Sequence, residues 1–218
     1  MTQSSLLENS LHNQSFDFDY IVYIGRFQPF HLAHLKVVEM ALQQSKYVLL
    51  VLGSAQNERS LKNPFTVNER KEMILANFSA EIQKRIIFVP IIDVYNDEKW
   101  VKLVKEQVNF AINTNQADLN HNAKIALIGH FKDDSSYYLR LFPEWQLINI
   151  ENLYQQLSAT PIRQKYYQGQ IDNEHLSKPV QDFLKQFQNK LVYQMLKDYA
   201  QREDNSVIVK EEQKNELG

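Results

Sequence analysis

Cysteine is absent from all 218 residues. Disulfides, thiolate nucleophiles and thiolate-bound zinc are excluded with it, and a reducing compartment is consistent. No sign of charge dominates: 24 basic against 26 acidic residues leave a formal net charge of −2. A general nucleic-acid binder carries a marked basic excess, so no nucleic-acid partner is expected. A locally basic pocket for a phosphorylated small molecule stays open. Long apolar runs are missing too. None approaches the roughly 20 residues of a membrane-spanning helix, and residues 1–19 lack the basic flank and apolar core of a secretory signal. The expectation is a cytoplasmic protein with no membrane partner. Glycine is scarce, five in the whole chain. No GxGxxG follows the first strand and no Walker A motif occurs, which argues against hydride transfer and P-loop chemistry.

What is present reads as one α/β domain. Five short apolar runs carry the strand signal: Tyr20–Ile24, Tyr47–Leu52, Ile86–Ile92, Ile125–Ile128 and Gln146–Ile150. Continuous apolar runs suit strands covered on both faces, as in a parallel sheet. Helical patterns lie between them. Leu35, Val38 and Leu42 share a face, Thr66 and Glu69 form a capping box, and Trp100, Val104, Val108 and Ile112 make a further stripe. Another helix is expected near Asp134. Alternating strands and helices imply a Rossmann-like doubly wound parallel sheet, and Pro90, which cannot donate to a ladder, puts the third strand at an edge or ends it. The order 3-2-1-4-5 satisfies that.

After the fifth strand the pattern is helical. Ser177 is expected to cap a helix whose buried stripe is Val180, Phe183, Leu184, Phe187 and Leu191, with Pro179 in its first turn. The expected organisation is an N-terminal extension over 1–18, a nucleotide-handling domain over 19–170, a helical part of the same domain over 171–201, and a mobile tail over 202–218. Val207–Val209 leave a short strand as an option there.

Three of the five glycines, Gly25, Gly53 and Gly129, directly close apolar runs. Glycine there permits a sharp turn and close ligand approach, and ligands of open α/β sheets bind at the carboxyl ends of the strands. The unusual polar clusters follow those same ends: RFQPFHLAH, SAQNERSLKNPFT, DVYNDEKW, HFKDD and SATPIR. In the first, His31 and His34 stand three apart at a helix start and so share a face. A helix N-terminus offers free amides and a positive dipole end to phosphate. On pattern alone an HxxH pair is more often a pair of surface histidines. Likewise Trp100 is more readily a core residue, Lys62 and Arg59 solvated charges, Ser158 and Thr160 helix caps, and Asp133 a helix-start acid. A zinc site finds no further His or Cys to complete it, so no protein-bound metal is expected.

GRFQPFHxxH after a first strand resembles the signature of the HxGH nucleotidyltransferase superfamily. With GSAQ…NPFT…ER, DVYNDEKW, GHFKDDSSYYLRLFPEW and SATPIR, it resembles nicotinamide-mononucleotide adenylyltransferases of the archaeal-like bacterial type, some of which carry a second, Nudix domain. The resemblance runs from about Tyr20 to Gly169. After Gly169 no glycine appears until Gly218, so no Nudix motif is expected. The resemblance implies that Arg26, His31, His34, Lys62 and Arg163 act on the phosphates of ATP. It implies an ATP site of Gly25, Phe27, Gln28, Gly129, Lys132, Asp133, Ser158 and Thr160. Gly53, Ser54, Asp93 and Trp100 would then contact nicotinamide mononucleotide, the Trp100 indole beside the nicotinamide ring. Two departures stand out: Ala33 replaces the motif's glycine, and Thr160-Pro161 replaces a serine/threonine–glutamate sequence.

The implied activity is transfer of AMP from ATP to nicotinamide mononucleotide, giving NAD and pyrophosphate, with Mg²⁺ accompanying ATP and a homo-oligomeric assembly. Adenylyl or cytidylyl transfer to another acceptor, such as phosphopantetheine, is the enzymatic alternative. A nucleotide-sensing module without turnover is the non-enzymatic one.

Overall fold

The computed structural model describes residues 15–115, 123–130, 134–150 and 157–215, excluding the side chains of 134–136 and 204–215. Five strands, β1 (Phe18–Gly25), β2 (Ser45–Leu52), β3 (Ile86–Pro90), β4 (Ile125–Gly129) and β5 (Gln146–Asn149), form one sheet in the order β3-β2-β1-β4-β5. Every neighbouring pair is parallel. The order expected from the sequence holds.

Side chains alternate across the central strand, as a period of two requires. Tyr20, Val22 and Ile24 pack into one core with Val104, Val108 and Ile112 of helix α4 (Asp97–Asn115). Ile21 packs into the opposite core, with Val38 and Leu42 of α1 (Leu32–Gln44) and Met73 of α2 (Val67–Leu75). Because both faces are covered, the strands read as unbroken apolar runs. Between α2 and β3 lies the short α3 (Ala80–Gln83).

Pro90 ends the edge strand. β3 stops there, opposite Leu52, and the expected continuation through Ile92 is loop, with Ile92 about half exposed. The Thr66 capping box forms as expected: the Glu69 N–H donates to Thr66 Oγ1 at 3.3 Å and the Thr66 N–H to Glu69 Oε2 at 2.9 Å. The helix expected near Asp134 is a 3₁₀ helix, Asp134–Leu141.

Three more helices follow: α5 (Ala159–Tyr167), α6 (Lys178–Gln188) and α7 (Leu191–Asn215). Two details differ from expectation. Ser177 sits at the N-cap of α6, yet its hydroxyl turns away to donate to Asn77 Oδ1. Leu191 does not continue the stripe of Val180, Phe183, Leu184 and Phe187, because α6 ends at Gln188 and Leu191 opens α7, 76% exposed. Residues 202–215, expected as a tail with a strand option, continue α7 as helix. Among the described residues no helix is long and apolar enough to cross a membrane.

Candidate active site

Several of the expected site residues follow the ends of β1 and β2. Backbone past each closing glycine turns through the left-handed region, with φ of +53° at both Phe27 and Ser54. Such a φ is costly for any residue but glycine, so surrounding contacts must hold it. At Gly25 the reason for glycine is packing: a Cβ would meet the Phe27 ring at 2.8 Å. Gly129 is similar, its Cβ position lying 2.6 Å from Leu139. The room made by these two glycines is therefore taken by the protein's own side chains.

Phe27 and Gln28 are buried. The Gln28 side chain zips the turn to the NPFT segment, donating to Phe65 O at 2.8 Å and accepting the Phe65 N–H at 2.9 Å. Its backbone oxygen accepts Arg163 Nη1 at 2.8 Å. One buried residue thus ties the turn after β1 to both the loop after β2 and the helix after β5.

Arg26, Lys62, Thr160 and Arg163 line one cleft of about 670 Å³, together with Gln164 and Tyr167 of α5 and Gln201 and Glu203 of α7. Arg26 and Lys62 are exposed, and Arg163 is 8% exposed. Arg163 Nη2 donates to Thr160 Oγ1 at 3.2 Å, so Thr160 orients the guanidinium. Burial depresses the Arg163 pKa, the neighbouring Tyr167 opposes this, and the like charge of Arg26 depresses it further. Two cations that repel each other across a concave surface make a receptor for a polyanion.

His31 and His34 are not in the walls of that cleft. They stand at the head of α1 with rings stacked, centroids 3.6 Å apart and planes 19° from parallel. His34 is also surrounded by Phe27, Phe30 and Tyr23, at centroid distances of 4.9, 5.7 and 6.2 Å. Burial holds its pKa well below the usual histidine value, with the adjacent His31 adding to the effect. His34 is therefore neutral at pH 7. Its Nδ1 accepts the His31 backbone N–H at 3.3 Å, which leaves the hydrogen on Nε2, as a donor.

At the other end of the rim the expected ligand residues are already engaged. Asp93 Oδ1 accepts both the backbone N–H and the hydroxyl of Ser54 at 3.1 Å, and Oδ2 accepts Asn57 Nδ2 at 2.9 Å. The Asp93 N–H donates to Gln56 Oε1 at 3.0 Å. Trp100 meets Tyr138 and Phe142 edge to face, both at 5.9 Å. Arg59, read as solvated, instead braces the loop, donating to Glu69 Oε2 at 2.7 Å and Pro64 O at 2.6 Å. Ser158 occupies the N-cap of α5 without a side-chain capping bond. Lys132 and Asp133 lie outside the described residues. Among those described, no group of three or more His, Asp or Glu could hold a metal ion.

The cytidylyltransferase-like family model matches residues 22–165, from within β1 to just past Arg163. A nicotinamide/nicotinic acid mononucleotide adenylyltransferase of Acinetobacter baylyi is 52% identical over 194 residues, 89% of this chain and 100% of that protein. The chain belongs to the nicotinamide-mononucleotide adenylyltransferase family. A nicotinamide-nucleotide adenylyltransferase of Pyrococcus horikoshii is 31% identical over 173 residues, 76% of this chain and 82% of that one. Among solved structures, a bifunctional NMN adenylyltransferase/ADP ribose pyrophosphatase of Francisella tularensis, complexed with AMP and a manganese ion, matches with a TM-score of 0.74 and 34% identity. The match covers 91% of this chain but 56% of that protein.

Sequence reasoning missed Arg70, Gln164, Tyr167 and the contribution of α7. Only Arg70 left a signal: a charged residue three and four positions before Met73 and Ile74, on a helical face that is otherwise buried.

Proposed function

We propose that this adenylyltransferase family member transfers AMP from Mg²⁺-bound ATP to nicotinamide mononucleotide, forming NAD and releasing pyrophosphate. The observation that carries the reading is the convergence of Arg26, Lys62 and Arg163 on one cleft; the stacked histidine pair stands at the head of α1, outside the cleft walls. An oxygen of the mononucleotide 5′-phosphate attacks the α-phosphorus of ATP in line. The new P–O bond forms as the bond to the β-phosphate oxygen breaks, and pyrophosphate leaves with that electron pair.

A phosphate nucleophile is ionised at neutral pH, so the chain needs no general base. Its task is to hold two anions together and to stabilise charge on the leaving group. Arg26, Lys62 and Arg163 supply the positive charge, and Thr160 keeps Arg163 aimed. Neutral His34 supplies an Nε2–H donor, with His31 stacked on it. Gly25, Phe27, Gln28, Gly129 and Ser158 belong to the ATP side through backbone and packing, and Lys132 and Asp133 are assigned there as well.

Gly53, Ser54, Asp93 and Trp100 make the mononucleotide side. Asp93 acts there chiefly by fixing Ser54 and Asn57, which presents the loop after β2 to the acceptor. The cleft wall holds cations and a single acid, Glu203. This suits magnesium carried in on substrate oxygens and water rather than on a carboxylate cage. The Francisella tularensis relative, with AMP and manganese, supports a divalent ion on the nucleotide. Cytoplasmic location and homo-oligomeric assembly belong to the same reading.

Incubation with ATP, Mg²⁺ and nicotinamide or nicotinic acid mononucleotide tests it. Dinucleotide and pyrophosphate are expected in equal amounts. Product from neither mononucleotide overturns it, and turnover with phosphopantetheine instead reassigns the acceptor.

A further inference from the structure

Arg70 is the most deeply buried charge among the described residues, 1% exposed, on a helix that carries none of the phosphate-facing side chains. Among the described residues it has no ion-pair partner. Its Nη1 donates to two backbone carbonyls, Arg26 O at 2.9 Å and Gly53 O at 2.8 Å. These are the first residue past β1 and the first past β2, and the Gly53 N–H also donates to Gly25 O at 3.0 Å.

A buried guanidinium without a carboxylate at bonding distance is an expensive way to fill a core, since desolvation opposes the charge and an apolar residue of similar volume carries no such penalty. Burial lowers its pKa to about 10, while the charge of Asp93 works in the other direction. It therefore stays cationic at neutral pH. What the charge secures is geometry: two strand ends whose outward carbonyls have no ladder partner are clamped by one planar donor.

We propose that Arg70 is a positioning residue for phosphate transfer, clamping the ends of β1 and β2 through the Arg26 and Gly53 carbonyls and thereby aiming the Arg26 side chain into the cleft. The proposal rests on the adenylyl-transfer reading. It adds that the phosphate cation at the end of β1 is held from below by a second arginine that touches no substrate. Misplacing a reacting or stabilising group by about 1 Å costs on the order of 10²-fold in rate, so loosening this clamp acts on kcat more than on folding.

The experiment is a double-mutant cycle with dinucleotide formation as the readout, thermal melts on every variant, and kcat and KM for ATP measured separately. Arg70→Met is expected to lower kcat tenfold or more in folded protein. Arg70→Lys keeps a charged donor in the same place and is expected to recover part of the loss. In the Arg26→Ala background, Arg70→Met is expected to cost less than about twofold further, because the residue it aims is gone. Multiplicative losses overturn the proposal, as does wild-type kcat in a folded Arg70→Met. If Arg70→Met does not fold, Arg70→Lys decides: wild-type kcat and an unchanged response to Arg26→Ala overturn it. An inactive wild type signals failure of the adenylyl-transfer reading itself and takes the proposal with it, whereas an active wild type with indifferent Arg70 variants sinks the clamp alone.

Discussion

The two ends of the rim are prepared in opposite ways. At the proposed phosphate end, Arg26 and Lys62 line an open cleft while the backbone beneath them is pinned by Gln28, Arg163 and Arg70. At the proposed acceptor end, Asp93 and Trp100 are already committed to Ser54, Asn57, Tyr138 and Phe142. A triphosphate is recognised by charge, which acts through space and can wait exposed. A mononucleotide acceptor must be recognised by shape and placed donors, which requires a loop with a defined path. The contrast predicts that phosphate-end changes fall on kcat, and acceptor-end changes on the KM of one substrate.

The largest effect is expected from His34→Ala. Loss of one donor to a developing anion costs about 10²-fold or more in kcat. Steady-state kinetics on a folded variant check this, and an unchanged kcat removes His34 from the chemistry.

Next comes the clasp that joins α5 to the head of α1. Asp172 accepts Lys165 Nζ at 2.9 Å and the His175 N–H at 3.0 Å, while His175 O accepts the Leu32 N–H at 2.9 Å. Despite the opposing effect of burial, these donors hold the Asp172 pKa down at about 2, against 3.8 unperturbed. A depressed carboxylate stabilises the fold above its unfolded pKa, and the contribution disappears as pH falls from about 4 through about 2. Asp172→Asn is therefore expected to cost about 2 kcal/mol at pH 7 and nothing below pH 2. Urea midpoints across that range decide it, and a loss that persists at the lowest pH assigns the effect to packing instead.

Asp93→Ala probes the other end. Freeing Ser54 and Asn57 removes a charge-assisted hydrogen bond worth about 1.5 kcal/mol, so the KM for the mononucleotide is expected to rise about tenfold, with that for ATP within twofold. Equal rises for both substrates would erase the distinction between the ends.

The last effect is on the pH dependence of stability, not on turnover. His34 is neutral in the fold and titrates at its ordinary 6.5 when unfolded. Below that pH the unfolded state binds the extra proton, so stability falls by up to about 1.4 kcal/mol per pH unit. Replacing His34 with Gln should flatten the pH 5–6.5 part of the urea-midpoint curve. An unaltered slope there would mean that His34 is charged in the fold.

Much of this architecture is legible in the sequence because it rests on local rules. Continuous apolar runs mark doubly covered strands, Pro90 marks the edge, and Thr66 with Glu69 marks a helix start. The cations proposed to meet phosphate are legible as well, since each follows the end of a strand. The bonds from Arg163 to Gln28 O and from Arg70 to Arg26 O are not. They join residues 135 and 44 positions apart, and no local spacing encodes them. Asp93 and Trp100 illustrate the same limit, because the neighbours that occupy them arrive from segments distant in sequence. Gly25 and Gly129 are legible as turn glycines, although the rings and methyls that fill the space beside them are set by tertiary packing.

The most direct measurement is the turnover number of folded Arg163→Ala for dinucleotide formation from ATP and nicotinamide mononucleotide. A polyanion receptor built on that guanidinium predicts a fall of at least about 10²-fold, partly restored in Arg163→Lys. A rate within twofold of wild type would contradict it.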